Sequence, residues 1–173
     1  MYNLLLVDDE PLIKVAFQSA VEWGKNGFLL AATASNGQEA LHIVETQHID
    51  AVITDLKMPG MDGLALIHEL KKLNFTGPIL VLSNYSDFDS VRTALTDGAY
   101  DYFLKINMNG ESIGEHLEKM ADLLRVQQQR QTEEDHRSFA IEAQKKENAL
   151  IHCAQWVTST AEPSPASNPF CML

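Results

Sequence analysis

The 173-residue sequence has few of the residues that build covalent or secreted frameworks. Its two cysteines, Cys153 and Cys171, are too few for a disulfide scaffold and belong to no metal-ligand spacing such as C-x-x-C, so a reducing, cytoplasmic setting is expected. Basic residues are also scarce. Thirteen Lys and Arg against 24 Asp and Glu leave a net charge of -11, which argues against nonspecific binding to nucleic acid or to an anionic membrane surface. No apolar stretch approaches the roughly 18 residues of a membrane span. The start, MYNLLLVDDE, lacks the basic and long apolar regions of a signal peptide. What remains, 45% apolar content, suffices for one well-buried domain with an appendage.

Five short runs rich in Val, Ile, Leu or aromatics lie at residues 3–7, 28–34, 50–54, 78–82 and 100–104 and read as strands buried on both faces. Segments of helical period follow them at about 11–23, 37–47, 62–73, 87–97 and 112–126. Pro11 suits a first helical turn, Gly98 a helix end, and Asn36-Gly37, Pro59-Gly60 and Gly77-Pro78 punctuate the units. Regular alternation implies βαβ crossovers and an α/β fold, a doubly wound, five-stranded parallel sheet between two helical layers.

In such a sheet ligands bind beyond the carboxyl ends of the strands. Asp8 and Asp9 follow the first run, Asp55 the third, Ser83 the fourth and Lys105 the fifth, so one rim gathers three carboxylates, a hydroxyl and an ammonium. That set suits a divalent cation and a phosphoryl group. Mg²⁺ takes oxygen ligands and keeps several waters, so Asp9 and Asp55 are the direct candidates, Asp8 acts through water or orients its neighbour, and the main-chain carbonyl of Lys57 adds a ligand. Asp55 is placed to attack phosphorus, with Ser83 and Lys105 neutralising the equatorial oxygens. Taken singly, each residue has a plainer reading: Asp8-Asp9-Glu10 as a helix cap, Ser83 as a turn residue, Lys105 as a surface lysine.

The pattern strand-DD, strand-D-x-x-M-P-x-x-D-G, strand-S and strand-K, carried by Asp8-Asp9, Asp55-Leu56-Lys57-Met58-Pro59-Gly60-Met61-Asp62-Gly63, Ser83 and Lys105, resembles the receiver domain of bacterial two-component response regulators over residues 1 to about 126. The resemblance implies a flavodoxin-like (βα)5 fold, phosphorylation of Asp55 by a histidine kinase, Mg²⁺ held by Asp8, Asp9 and Asp55, and contact of Ser83 and Lys105 with the phosphoryl oxygens. Such a chain is a signalling switch that catalyses at most its own phosphorylation and dephosphorylation. Tyr102 matches the family's aromatic switch position, with a half-buried strand aromatic as the plainer alternative. The run Ser83-Asn84-Tyr85-Ser86-Asp87-Phe88 is similar to receivers fused to AraC-type helix-turn-helix regulators, which implies a role in transcription regulation. One departure stands out: Ile106 follows Lys105 where most receivers have proline in a cis peptide, so a rebuilt loop with a trans bond is expected.

The organisation read from the sequence is a receiver at 1–126, a helical linker or amphipathic extension at 127–157, whose apolar stripe has one weak helical turn at Lys146 and Glu147, and a disordered tail at 158–173. The stripe Phe139, Ala143, Leu150, Ala154 and Val157 is either a homodimer contact or a marginal extension. No helix-turn-helix follows residue 126, so the chain as it stands is expected not to bind DNA, and it is either a truncated regulator or a stand-alone receiver. Two other classes fit parts of the pattern. A Mg²⁺-dependent phosphohydrolase would use the same carboxylates but usually has a second acid two residues after its nucleophile, where this chain has Lys57. A structural dimerisation module would leave the rim idle.

Overall fold

A computed structural model of the chain describes residues 1–84 and 87–159, with 147 and 149–159 described by backbone alone. Strands β1 (Tyr2–Val7), β2 (Phe28–Ala34), β3 (Ala51–Asp55), β4 (Ile79–Ser83) and β5 (Asp101–Leu104) form one parallel sheet in the order β2-β1-β3-β4-β5. Helices α1 (Pro11–Ala20), α2 (Gly37–Thr46), α3 (Gly63–Lys72), α4 (Phe88–Asp97) and α5 (Gly110–Ser159) connect and follow them. The strand order reverses direction at β1, which places the switch point of the sheet between β1 and β3.

Alternation along the central strands explains the two layers. Leu5, Val7, Val52 and Val81 point to one face, where Ala40 of α2, Leu66, Ile67 and Leu70 of α3 and Val91 and Ala94 of α4 cover them. Leu4, Leu6, Ile53, Leu80 and Leu82 point to the other, under Phe17 of α1 and Ile113, Leu117 and Met120 of α5. Each fully buried Leu or Phe stabilises the fold by about 1.5–3 kcal/mol relative to exposure. This paired core is what fixes the height at which each strand ends.

Local chemistry sets the element ends. Pro11 occupies the first turn of α1. Asn36 and Asp62 cap α2 and α3, their side chains accepting from Glu39 N at 2.9 Å and Ala65 N at 2.8 Å. Gly98 closes α4 in the left-handed region at φ 106°, donating to the carbonyls of Ala94 and Leu95. No peptide bond among the described residues is cis, so Lys105-Ile106 is trans, and Lys105–Asn107 forms a 3₁₀ turn in the rebuilt loop.

The chain divides into two compact units, Met1–Gln127 and Gln128–Leu173. In the second unit the backbone is helical through Ser159, and the side chains from Gln128 to Lys146 are exposed. The backbone stays helical through Lys146 and Glu147, the weak turn of the apolar stripe, where no Gly or Pro interrupts the segment and pairs such as Glu142–Lys146 at 3.3 Å support it. Thr158 and Ser159, expected in the tail, are helical, while 160–173 lie outside the described residues.

Candidate phosphoacceptor and cation site

Register places the site residues on neighbouring strand ends. Val7 pairs with Thr54, so Asp8 stands one step beyond β1 beside Asp55. Asp55 pairs with Leu82 and Ser83 with Leu104, so each successive functional residue sits one step further along the rim, ending at Lys105. The sheet twist turns this stagger into a concave edge.

Asp8 and Asp55 are buried, at 0% and 4% exposure, and Lys105 Nζ lies 2.9 Å from an Oδ2 of each. The same ammonium reaches Glu10 Oε1 at 3.1 Å. Asp8 uses its other oxygen, Oδ1, to accept from Glu10 N at 2.8 Å, and Asp55 Oδ1 accepts from Leu56 N at 2.8 Å. Thus both carboxylates are oriented by backbone amides through one oxygen and present the other to Lys105. Asp9 is only partly buried, yet one carboxylate oxygen from each of Asp8, Asp9 and Asp55 falls within 4.8 Å of the others.

The electrostatics follow from burial and crowding. Burial pushes the Asp8 carboxyl above its ordinary value, against the Lys105 and Glu10 hydrogen bonds that pull it down. Burial acts to lower the Lys105 value too, but hydrogen bonds and charge from Asp55 and Asp8 more than reverse it, and the ammonium is held above the ordinary lysine range. The donor set fits Mg²⁺ by its chemistry: three carboxylates, hard oxygen donors, gather one oxygen each within 4.8 Å of one another.

The loop after Asp55 is held tightly. Gly63 N donates to Leu56 O at 3.0 Å, and a Cβ on Gly63 would come 2.1 Å from Asp55 O, so only glycine allows this approach. The Lys57 side chain turns away from the rim and pairs with Asp87, which is 3% exposed. Ser83 is 1% exposed, and its Oγ has no hydrogen-bond partner among the described residues. It opens instead on a groove of about 630 Å³ that Phe88, Val91, Leu95 and Tyr102 also line. Tyr102 is 41% exposed, so its ring stands outward in this structure.

The predicted residues therefore fall into two groups. Asp8, Asp9, Asp55 and Lys105 converge, whereas Ser83 and Tyr102 meet across the adjoining groove and Lys57 directs its side chain elsewhere. Sequence reasoning missed two participants. Glu10 was visible only as part of an acidic helix start, and Asp87 only as a letter in the run from Ser83 to Phe88.

Comparison with known proteins agrees with this geometry. The family model of the response regulator receiver domain matches residues 4–118. The chain is 36% identical over 125 residues to the uncharacterized transcriptional regulatory protein YesN of Bacillus subtilis, covering 72% of this chain and 34% of that protein. It is 37% identical over 108 residues to the transcriptional regulatory protein MalR of the same organism, covering 61% of this chain and 44% of the relative. It thus spans less than half the length of these curated relatives. Among solved structures it is similar to the REC domain of AraT, a response regulator from Geobacillus stearothermophilus, with TM-score 0.68 and 28% identity over 73% of this chain and 98% of that one. A response regulator receiver domain protein from Clostridium thermocellum gives TM-score 0.60 at 26% identity, over 73% of this chain and 98% of the other. No helix among the described residues is long and apolar enough to cross a membrane. Sequence pattern and fold lead to one conclusion: the chain belongs to the response regulator receiver domains of two-component systems, a family of signalling switches.

Proposed function

We propose that this receiver is a Mg²⁺-dependent phosphoryl acceptor whose nucleophile is Asp55 Oδ2. The observation that carries this reading is the arrangement of Asp55 itself. Oδ1 is committed to Leu56 N, while Oδ2 is held at a buried rim by a lysine 50 residues away. Attack by Oδ2 on the phosphorus of a phosphohistidine in a sensor kinase forms the P–O bond as the P–N bond breaks, and the imidazole takes up a proton as it leaves. Lys105 then turns its ammonium to the new phosphoryl oxygens, and the Ser83 hydroxyl, without a partner among the described residues, gains an acceptor there. Asp8, Asp9, Asp55 and the Lys57 carbonyl would hold Mg²⁺, which supplies charge neutralisation at the phosphoryl group.

Added negative charge draws Ser83 towards the rim, and Tyr102, outward at rest, turns into the space beside β4. The face made by α4, β5 and α5 changes with it. The relatives are transcriptional regulatory proteins, so the changed face is proposed to act in transcription through a partner, a second copy of the chain or a further domain, and not by direct DNA contact from this acidic chain.

The experiment is incubation with acetyl phosphate and Mg²⁺ followed by intact mass measurement. One phosphoryl increment is expected, and none with Asp55→Asn. An increment that persists in Asp55→Asn places the acceptor elsewhere. Sustained release of phosphate from small esters would instead favour a hydrolase.

A further inference from the structure

Four helices of this fold follow an Asn or Asp, and one of them is anomalous; Asn109, before α5, caps in the ordinary way, its side chain accepting from Ser112 N at 2.8 Å. Asn36 and Asp62 have extended backbones, with ψ of 169° and 175°, and their side chains cap their own helices. Asp87, at the start of α4, has φ -99° and ψ 25°, and its side chain makes no cap hydrogen bond. Its carboxylate turns backward instead. Oδ2 accepts from Asn84 N at 3.0 Å, and Oδ1 pairs with Lys57 Nζ.

The positions of these partners give the pair its interest. Lys57 lies two residues after Asp55, in a loop whose Leu56 amide holds the Asp55 carboxylate. Asn84 follows Ser83 directly. One ion pair therefore joins the acceptor loop to the N-cap of α4, across 30 positions of sequence, with the Asp87 side chain 1% exposed and that of Lys57 65% exposed. Burial makes a paired carboxylate costly to separate from its cation, so the ion pair couples the start of α4 to Lys57 when the acceptor loop shifts. The α4 amides that Asp87 leaves uncapped offer the carboxylate a second place to go, the device of a two-state element.

We propose that Lys57 and Asp87 form a positioning pair that ties the start of α4 to the phosphoacceptor loop, so that a change at Asp55 reaches α4 through this ion pair. The proposal rests on the reading of Asp55 as acceptor. It assigns the pair a role in transmission rather than in phosphoryl transfer. The side-chain pair borders the start of α4, whose residues Phe88, Val91 and Leu95 line the groove beside Ser83 and Tyr102.

The test uses the full chain, beryllium fluoride with Mg²⁺ as the phosphoryl mimic, and amide NMR shifts. The Leu56 and Gly63 amides report loading of the site, and the amides of Phe88 to Asp97 report α4. In the native chain both groups shift. In Lys57→Met, at a probe concentration that saturates the Leu56 response, the α4 response falls by about threefold or more, the scale of coupling between residues in contact. Asp87→Asn gives a similar loss, and the double variant loses no more than either single one. Because Lys57 is mostly exposed, Lys57→Met keeps the test decisive even if Asp87→Asn folds poorly. A Lys57→Met chain whose α4 amides respond as in the native chain overturns the pair and leaves Asp55 as acceptor. A native chain whose Leu56 amide does not respond overturns both.

Discussion

The two ends of the sheet hold the same kinds of residue in opposite conditions. At the amino end, Asp50 accepts from Asn3 N at 2.7 Å and pairs with His48 at 3.0 Å, while the Asn3 side chain donates to His48 O at 3.0 Å. Every group there has a partner and the cluster closes on itself. At the carboxyl end, Asp8, Glu10 and Asp55 share one lysine, Asp9 stands beside them and the Ser83 hydroxyl has no partner among the described residues. Satisfied polar groups hold a strand in register, whereas an oversubscribed set keeps capacity for a ligand.

The sharpest way to break this contrast is Lys105→Met. Removing the cation that bridges two buried carboxylates is expected to destabilise the Mg²⁺-free chain by about 3–5 kcal/mol in urea unfolding, with part of the loss recovered by Mg²⁺. An unchanged midpoint would mean that the rim is no more charged in practice than the amino end.

Next in size is the ranking of the carboxylates. Asp9→Ala and Asp55→Ala are expected to weaken Mg²⁺ binding by more than Asp8→Ala, whose loss should be about tenfold, as for a residue that orients a ligand. Asp8 and Asp55 are engaged alike in the structure, each by a backbone amide and by Lys105, so the order rests on the sequence reading of Asp8 as a partner that acts through water. Equal losses measured by calorimetric titration would remove it.

A smaller effect concerns pH. Because burial raises the Asp8 value, its protonated form, which holds no metal, appears at a higher pH than for an ordinary carboxyl, and Mg²⁺ affinity should begin to fall there as pH drops. Stability of the cation-free chain moves the other way: the Asp8 contribution is fullest below the ordinary carboxyl value and is lost as pH rises through the raised one. Asp8→Asn should flatten both slopes.

The smallest effects belong to the amino end. Asp50→Ala should cost about 1–2 kcal/mol by stranding Asn3 N, and His48→Ala, an exposed pair, less than about 1 kcal/mol. Neither should alter Mg²⁺ affinity. A change in either titration would show that the two ends communicate.

The rim was legible in the sequence because of where apolar runs stop. Asp8, Asp55, Ser83 and Lys105 each follow a run of four to six residues assigned to a strand, and a parallel sheet brings such ends together whatever the intervening lengths. Glu10 and Asp87 were not legible as partners, since their contacts join residues 95 and 30 positions apart and depend on how far each loop reaches, which no periodicity encodes. The helix beyond residue 126 was half legible. Its composition suits a solvated helix, and the turn at Lys146, where the apolar stripe is weak, carries an i,i+4 ion pair on an uninterrupted backbone, but the point at which the helix gives way to the tail was not legible.

Lys105 also bears on the order in which the protein becomes functional. A newly made chain carries its own counter-ion into the fold, so the carboxylates need not wait for an external ion to stop repelling one another, unlike small domains that fold only when loaded with metal. An arriving ion meets a tethered competitor, and its hold is the difference between two attractions. Such a difference is modest by construction. On the proposed function it would let the same carboxylates be filled, used and emptied repeatedly, as a switch that resets within the life of one protein molecule requires.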